Sequence, residues 1–234
     1  MSMGRNLVLL SAGLDSVVNF LIARERGGMG AAVTVDYGQR AARREVEKAR
    51  DLCETYGVRH LVLEAHWLGE VSGDALTSRE VPLPGVEPGK LRDQALMEAA
   101  MRAVWVPNRN GLLANMGACV AEALGFPWVV MGLNAEEGAF FPDNSAGFVR
   151  EINRALGYST RSGVRLRSFT IKWNKMDILR EAMARDLDFR FIWSCYNGGE
   201  LMCGCCESCT LLMAAAERLG ATAELDGLFD ERER

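Results

Sequence analysis

The chain has 234 residues, 49% of them hydrophobic, which is enough for one large core or a core with an appendage. Its 31 acidic residues outnumber 27 basic ones, for a net charge of -4, which argues against a general nucleic-acid binder and for no nucleic-acid partner. Leu7 to Ala12 is too short an apolar run for a signal or a membrane span, so seven cysteines read as reduced thiols of a cytoplasmic chain with no membrane association.

The elements alternate along the chain. Asn6 to Leu10 is a short apolar run, hence a buried strand. Asp15 to Arg26 carries Val17, Val18, Leu21 and Ile22 at helical spacing and ends at Gly27-Gly28. Ala31 to Val35 is a second strand. Ala41 to Tyr56 is an amphipathic helix ended by Gly57; its Arg43, Arg44, Glu45, Glu47, Lys48 and Arg50 read as a solvated face. His60 to Leu63 is a third strand, and Val81 to Lys90 a long Pro/Gly-rich loop. Asn110 to Leu124 is a helix stopped by Gly125, and Trp128 to Gly132 a fourth strand. Val164 to Thr170 alternates, Lys175 to Ala184 is helical, and Thr210 to Leu219 is a last helix. Cys53 and Cys119 fall in helices as small buried hydrophobes. This order predicts an α/β fold with a doubly wound, mostly parallel sheet, whose ligands sit beyond the carboxyl ends of the strands.

The residues just past each strand therefore matter most. Ser11-Ala12-Gly13-Leu14-Asp15-Ser16 joins a strand to a helix N-terminus, where small residues and N–H groups suit an anion. It lacks the lysine of a Walker loop. Asp36-Tyr37-Gly38-Gln39-Arg40 follows the second strand. Arg109, in Val-Pro-Asn-Arg-Asn, has the planar fork that clamps a carboxylate or phosphate. Asn134, Glu136 and Glu137, then Phe140, Phe141 and Asp143, follow the fourth strand. Aromatics beside carboxylates suit a flat, donor-rich heterocycle: rings to stack on, and Asp143 or Glu137 to accept from its N–H groups.

Near the end, Cys195 precedes Cys203-x-x-Cys206-x-x-Cys209. Two residues between cysteines is a chelate spacing, and four thiolates make a closed tetrahedral site for structural zinc. Cys205 is the spare; the phase of the two C-x-x-C steps favours its neighbours.

Taken in order, S-A-G-L-D-S, D-Y-G-Q-R, V-P-N-R-N, G-L-N-A-E-E with F-P-D-N, W-N-K-M-D-I and W-S-C-Y with the cysteine run resemble the 7-cyano-7-deazaguanine synthases, the QueC family of PP-loop ATP pyrophosphatases. The likeness runs from Leu7 to about Leu219. It implies a five-stranded parallel sheet, with residues 1–170 as the nucleotide-binding domain and 171–234 as a helical region holding the zinc. It implies ATP, with magnesium, at Ser11, Ala12, Gly13, Leu14, Asp15 and Ser16, supported by Asp36, Gln39 and Arg40. Asp15, Ser16, Lys175 and Arg109 are implied as catalytic, and Arg109, Asn134, Glu137, Phe140, Phe141 and Asp143 as substrate-binding. The reaction implied activates 7-carboxy-7-deazaguanine as an adenylate, which ammonia attacks on the way to the nitrile. A homodimer is implied as well.

Two departures stand out. The family's loop has Gly-Gly where this chain has Ala12-Gly13, so Gly13 is expected to take any left-handed conformation. After the fourth strand the family's acidic, tyrosine-rich stretch is replaced by Glu137-Gly138-Ala139-Phe140, and Gly138 and Ala139 are expected to widen an opening beside the reacting carboxyl. A wider opening is compatible with a ligase that joins the activated carboxyl to a protein amine, as in QueC-like antiviral systems. A tRNA-thiolating PP-loop enzyme and a zinc-bearing interaction module are the readings of other classes; the acidic balance opposes the first and the intact loop the second.

Overall fold

The protein is described from a computed structural model, over residues 5–91 and 93–230. The first four residues and the last four lie outside these. Strands β1 (Asn6–Leu9), β2 (Met29–Asp36), β3 (His60–Glu64), β4 (Trp128–Val130) and β5 (Arg165–Arg167) form one sheet. Their order is β3-β2-β1-β4-β5, with all four pairings parallel. The helices are α1 (Leu14–Glu25), α2 (Ala42–Thr55), α3 (Trp67–Ser72), α4 (Gln94–Ala103), α5 (Arg109–Ala123), α6 (Ala146–Ser159), α7 (Lys175–Met183) and α8 (Glu207–Leu219). No helix among the described residues is long and apolar enough to cross a membrane.

Period-two side chains split the core into two layers. Leu7 and Leu9 of β1 face one side, with Ala114, Ala118 and Ala121 of α5 and Leu156 of α6. Val8 and Leu10 face the other, with α1, α7 and the cysteine-bearing segment. Helix α1 lies under the sheet and is apolar nearly all round; Phe20 and Ile22 are fully buried. Its buried Asn19 is fully used: the amide donates to Asp15 O and Thr170 Oγ1 and accepts from Phe169 N. Residues from both sides of position 170 thus share one core.

The strand order reverses between β1 and β4, which places the switch point between the loops that follow them. These two loops touch. A Cβ added at Gly132 would lie 2.6 Å from Ser16 N, so only glycine lets the end of β4 approach the start of α1.

Several elements differ from the sequence expectation. The fifth strand stops at Arg167, because Ser168 and Thr170 turn their hydroxyls onto Leu133 O and end the ladder with side-chain bonds. The expected loop over Val81 to Lys90 is irregular except for a single 3-10 turn, Pro88–Lys90, and it is clamped: Thr210 Oγ1 of α8 donates to Val86 O at 2.9 Å. Helices α4 and α6 were not foreseen, although each has a working N-cap, Asp93 accepting from Leu96 N and Ser145 from Phe148 N. Cys53 is buried as expected, but Cys119 is exposed on α5.

Candidate active site

A cleft of about 230 Å³ opens at the carboxyl ends of β1, β2 and β4. Its floor is the loop between β1 and α1. Ala12, not Gly13, takes the left-handed conformation, with φ 59°; Gly13 is extended at φ -62°, ψ 151°. The expectation placed on Gly13 is corrected. Buried Ala12 is held there from outside the loop, because Trp193 N donates to its carbonyl at 2.9 Å. Ser16 Oγ donates to Gly13 O and lies 3.3 Å from Ser11 Oγ. The loop therefore presents hydroxyls and the free N–H groups of a helix start, with Asp15 on the first turn.

Asp15 is the electrostatic centre. Lys175 Nζ, from the start of α7, lies 2.7 Å from Asp15 Oδ2, with both side chains nearly buried. Burial raises the Asp15 carboxyl above the ordinary range, and the lysine charge offsets part of this. Burial alone would lower Lys175, but Asp15 and Glu137 hold it well above the usual lysine value. Asn134, fully buried after β4, donates to both Asp15 Oδ2 (3.2 Å) and Glu137 Oε1 (2.9 Å). Glu137 Oε2 accepts from Asn144 Nδ2 at 3.0 Å. Asp15 Oδ1 is buried with no hydrogen-bond partner, which suits a cation carried in on phosphates.

The far end of the cleft is built from β2 and the starts of α2 and α5. Arg109 Nη1 lies 3.5 Å from Tyr37 Oη, and Nε donates to Asn110 Oδ1. Burial disfavours its charge, but Tyr37, Asp143 and Glu137 hold it firmly protonated. The residue before α5, Asn108, supplies a left-handed N-cap at φ 53° that turns Arg109 into the helix start. Phe141 lines the cleft and stacks on Trp105, with centroids 5.8 Å apart. Gln39 is buried and donates to Glu45 Oε2 at 2.8 Å. Glu45 lines the cleft rather than the solvated face expected of α2.

The cleft brings together Ser11, Gly13, Leu14, Asp15, Ser16, Gln39, Arg109, Glu137, Phe141 and Lys175. Ala12 and Asn134 stand behind this wall as braces. Four named residues do not line the cleft. Asp36 caps its own turn, accepting from Gly38 N, and pairs with His66. Arg40 donates to the carbonyls of Ser78 and Val81 and pins the following loop. Phe140 is exposed. Asp143 offers its carbonyl to Asn110 Nδ2, and its carboxyl is raised by burial. Gly138 opens nothing: a Cβ there would meet Asn144 O at 3.1 Å, so the widened-opening expectation is withdrawn. Sequence reasoning missed Tyr37, Glu45, Asn144, Ser194 and Tyr196. Tyr196 stood in the W-S-C-Y motif; Glu45 had no signal beyond a charge on a charged helix.

Behind the cleft, Cys195, Cys203, Cys206 and Cys209 are all buried, with their sulfurs within 4.8 Å of one another. No disulfide joins them. Asn197 N and Cys203 N donate to Cys195 Sγ, and Cys206 N donates to Cys203 Sγ. Hydrogen bonds from Cys195 and its neighbours push the Cys203 thiol down, while those to Cys195 and Cys203 push Cys209 up. Four buried sulfurs converging on one point have the donor set and closeness of a tetrahedral site, so the cluster could hold a metal ion. Cys205 is exposed and outside the four. Next to this site, Tyr196 Oη donates to buried Glu207 Oε2 at 2.8 Å.

A parallel sheet, a small-residue loop at the switch point and a lysine from a later helix give an α/β fold of the PP-loop type. A solved structure, U34-tRNA thiolase NcsA from Methanococcus maripaludis with its [4Fe-4S] cluster, shares this fold: TM-score 0.51 at 15% identity, over 97% of this chain and 67% of that one. The family model for Queuosine biosynthesis protein QueC matches residues 5–220. The 7-cyano-7-deazaguanine synthase of Methanosarcina barkeri is 40% identical over 92% of this chain and 94% of its own. The synthases of Desulforamulus reducens and Desulforudis audaxviator are 42% and 44% identical, over 97% and 92% of this chain. The chain belongs to the QueC family.

Proposed function

We propose that the protein is an ATP-dependent ligase that converts 7-carboxy-7-deazaguanine and ammonia to 7-cyano-7-deazaguanine. One observation carries the reading. The anion loop with its Asp15–Lys175 pair and the Arg109 guanidinium line a single cleft at the switch point. A nucleotide phosphate on the loop and a carboxylate at Arg109 can therefore meet. The names of relatives some 40% identical over most of the chain support the same substrate.

A carboxylate is a poor electrophile, so an amine does not displace its oxygen unaided. One carboxylate oxygen attacks the α-phosphorus of ATP, and pyrophosphate leaves. N–H donors of the loop, Ser11 and Ser16 stabilise the departing charge, and Lys175 neutralises it. Arg109 holds the carboxylate on line, which is a positioning role. Ammonia adds to the acyl-adenylate, AMP leaves, and an amide forms. Adenylation of the amide oxygen and loss of a second AMP give the nitrile. Asp15 Oδ1 is the atom that fits magnesium on the phosphates, and the four cysteines fit zinc, whose role in a closed site is structural. We assign residues 1–170 to nucleotide chemistry and 171–234 to the metal-bearing wall, and a cytoplasmic homodimer agrees with the family resemblance. With Gly138 packed against Asn144, no observation favours a protein amine as acceptor.

Pyrophosphate–ATP exchange tests the reading. It should require the deazaguanine carboxylate and be lost in Asp15→Ala and Ser16→Ala; Ser16→Ala should melt near the parent, whereas Asp15→Ala, which strands the buried Lys175, should melt lower. Exchange without the carboxylate, or unaffected by both variants, contradicts it.

A further inference from the structure

We propose that Glu45 recognises the heterocycle, its carboxylate accepting from the ring N–H and the exocyclic amine that lie side by side on the pyrimidine edge of a deazaguanine. The inference rests on the function proposed above and adds the group that selects the base. Three acidic residues line the cleft: Asp15, Glu45 and Glu137. Asp15 Oδ2 is taken by Lys175 and Asn134, and its free Oδ1 lies at the phosphate end of the cleft. Both Glu137 oxygens are occupied, Oε1 by Asn134 and Oε2 by Asn144. Glu45 has a donor only on Oε2, from Gln39, and among the described residues none meets Oε1.

The carboxylate is also aimed. Gln39 accepts from Tyr37 N at 2.9 Å and donates to Val35 O at 3.2 Å, so its amide is fixed before it reaches Glu45. A brace of this kind holds one oxygen and leaves the other for a ligand. Around it, Leu76, Val104, Leu113 and Phe141 supply apolar walls, with Tyr37 beside them. Such walls suit a flat ring. Arg109 is the basic residue of that end, while Lys175 is tied to Asp15. A ring with a carboxylate on one edge and two donors on another matches one arginine and one glutamate. Adenine does not: its amino group lies beside an acceptor nitrogen, which a carboxylate repels. Burial raises the Glu45 carboxyl to about 7 despite the Gln39 hydrogen bond and the Arg109 charge, so further donors would stabilise its charged form. Paired N–H donors restore them.

The test is titration calorimetry of the parent and Glu45→Gln with ATP, with 7-carboxy-7-deazaguanine, and with its analogue lacking the exocyclic amine. The parent should bind the analogue roughly ten- to a hundredfold more weakly than the full base. Glu45→Gln should lose a similar factor on the full base, discriminate little between the two, and bind ATP as the parent does. If Glu45→Gln still discriminates like the parent, or loses ATP affinity instead, the proposal is overturned; the second result would assign the carboxylate to the ribose. A parent that binds ATP but neither base would refute the proposed function itself. Should Glu45→Gln fail to fold, Glu45→Asp keeps the charge on a shorter arm; the same losses on the full base are expected, and unchanged discrimination overturns the proposal.

Discussion

Ala12 carries a cost that the family's glycine would not. A left-handed L-residue costs about 1–2 kcal/mol, of which glycine's extra freedom in the unfolded chain cancels a part. Ala12→Gly should therefore leave stability unchanged or raise it by up to about 1 kcal/mol in denaturant unfolding; a clear loss would mean that the φ of 59° is not strained. Lys175 is the opposite case. Removing it as Lys175→Met strands the buried Asp15 carboxylate, at about 3–5 kcal/mol by analogy with other broken buried pairs. The sign of the pH dependence follows. Without the lysine, Asp15 has a folded pKa above its unfolded one, so its neutral form favours the fold. The deficit of Lys175→Met should be largest above that raised pKa and shrink as pH falls through it. A deficit that grows toward acid would contradict the assigned pair.

At the scale of elements, the cysteine segment is a wall of the cleft as much as a candidate metal site. Trp193 N holds Ala12 O, Ser194 Oγ accepts from Leu14 N at 3.5 Å, and Cys195 follows at once. Removing the metal with a chelator, or Cys206→Ser, should lower the melting temperature and weaken ATP binding together. Metal loss with unchanged ATP affinity would show that the wall stands without it. Much of this architecture was legible in the sequence. The short apolar runs of β1, β2 and β4 and the glycine stops after α2 and α5 mark their elements directly. The cysteine spacing marked its cluster, because chelate geometry is local. Helices α4 and α6 were not read, since neither has a glycine stop and both follow loop-like stretches rich in Pro and Gly. In the candidate site, motif order singled out the loop and Lys175, which the fold brings to one cleft. Glu45 was not, because its burial depends on Gln39 and on which face of α2 meets the sheet. Asp36 and Arg40 lie off the cleft because polar residues at a strand end also cap turns and pin loops.

For the whole molecule, the central claim is that one cleft activates a deazaguanine carboxylate with ATP and delivers ammonia to it. The switch point between β1 and β4 makes this possible, since it brings loops from distant parts of the chain within contact. The two core layers fix that meeting, and the cysteine-bearing end closes it from behind. The most direct measurement is the mass of the product formed from ATP, 7-carboxy-7-deazaguanine and ammonium by the metal-loaded protein. The account predicts a product lighter than the acid by two waters less one ammonia, the nitrile, with AMP and pyrophosphate formed alongside it. Unchanged carboxylate in the presence of hydrolysed ATP, or a product that forms without ammonium, would contradict it.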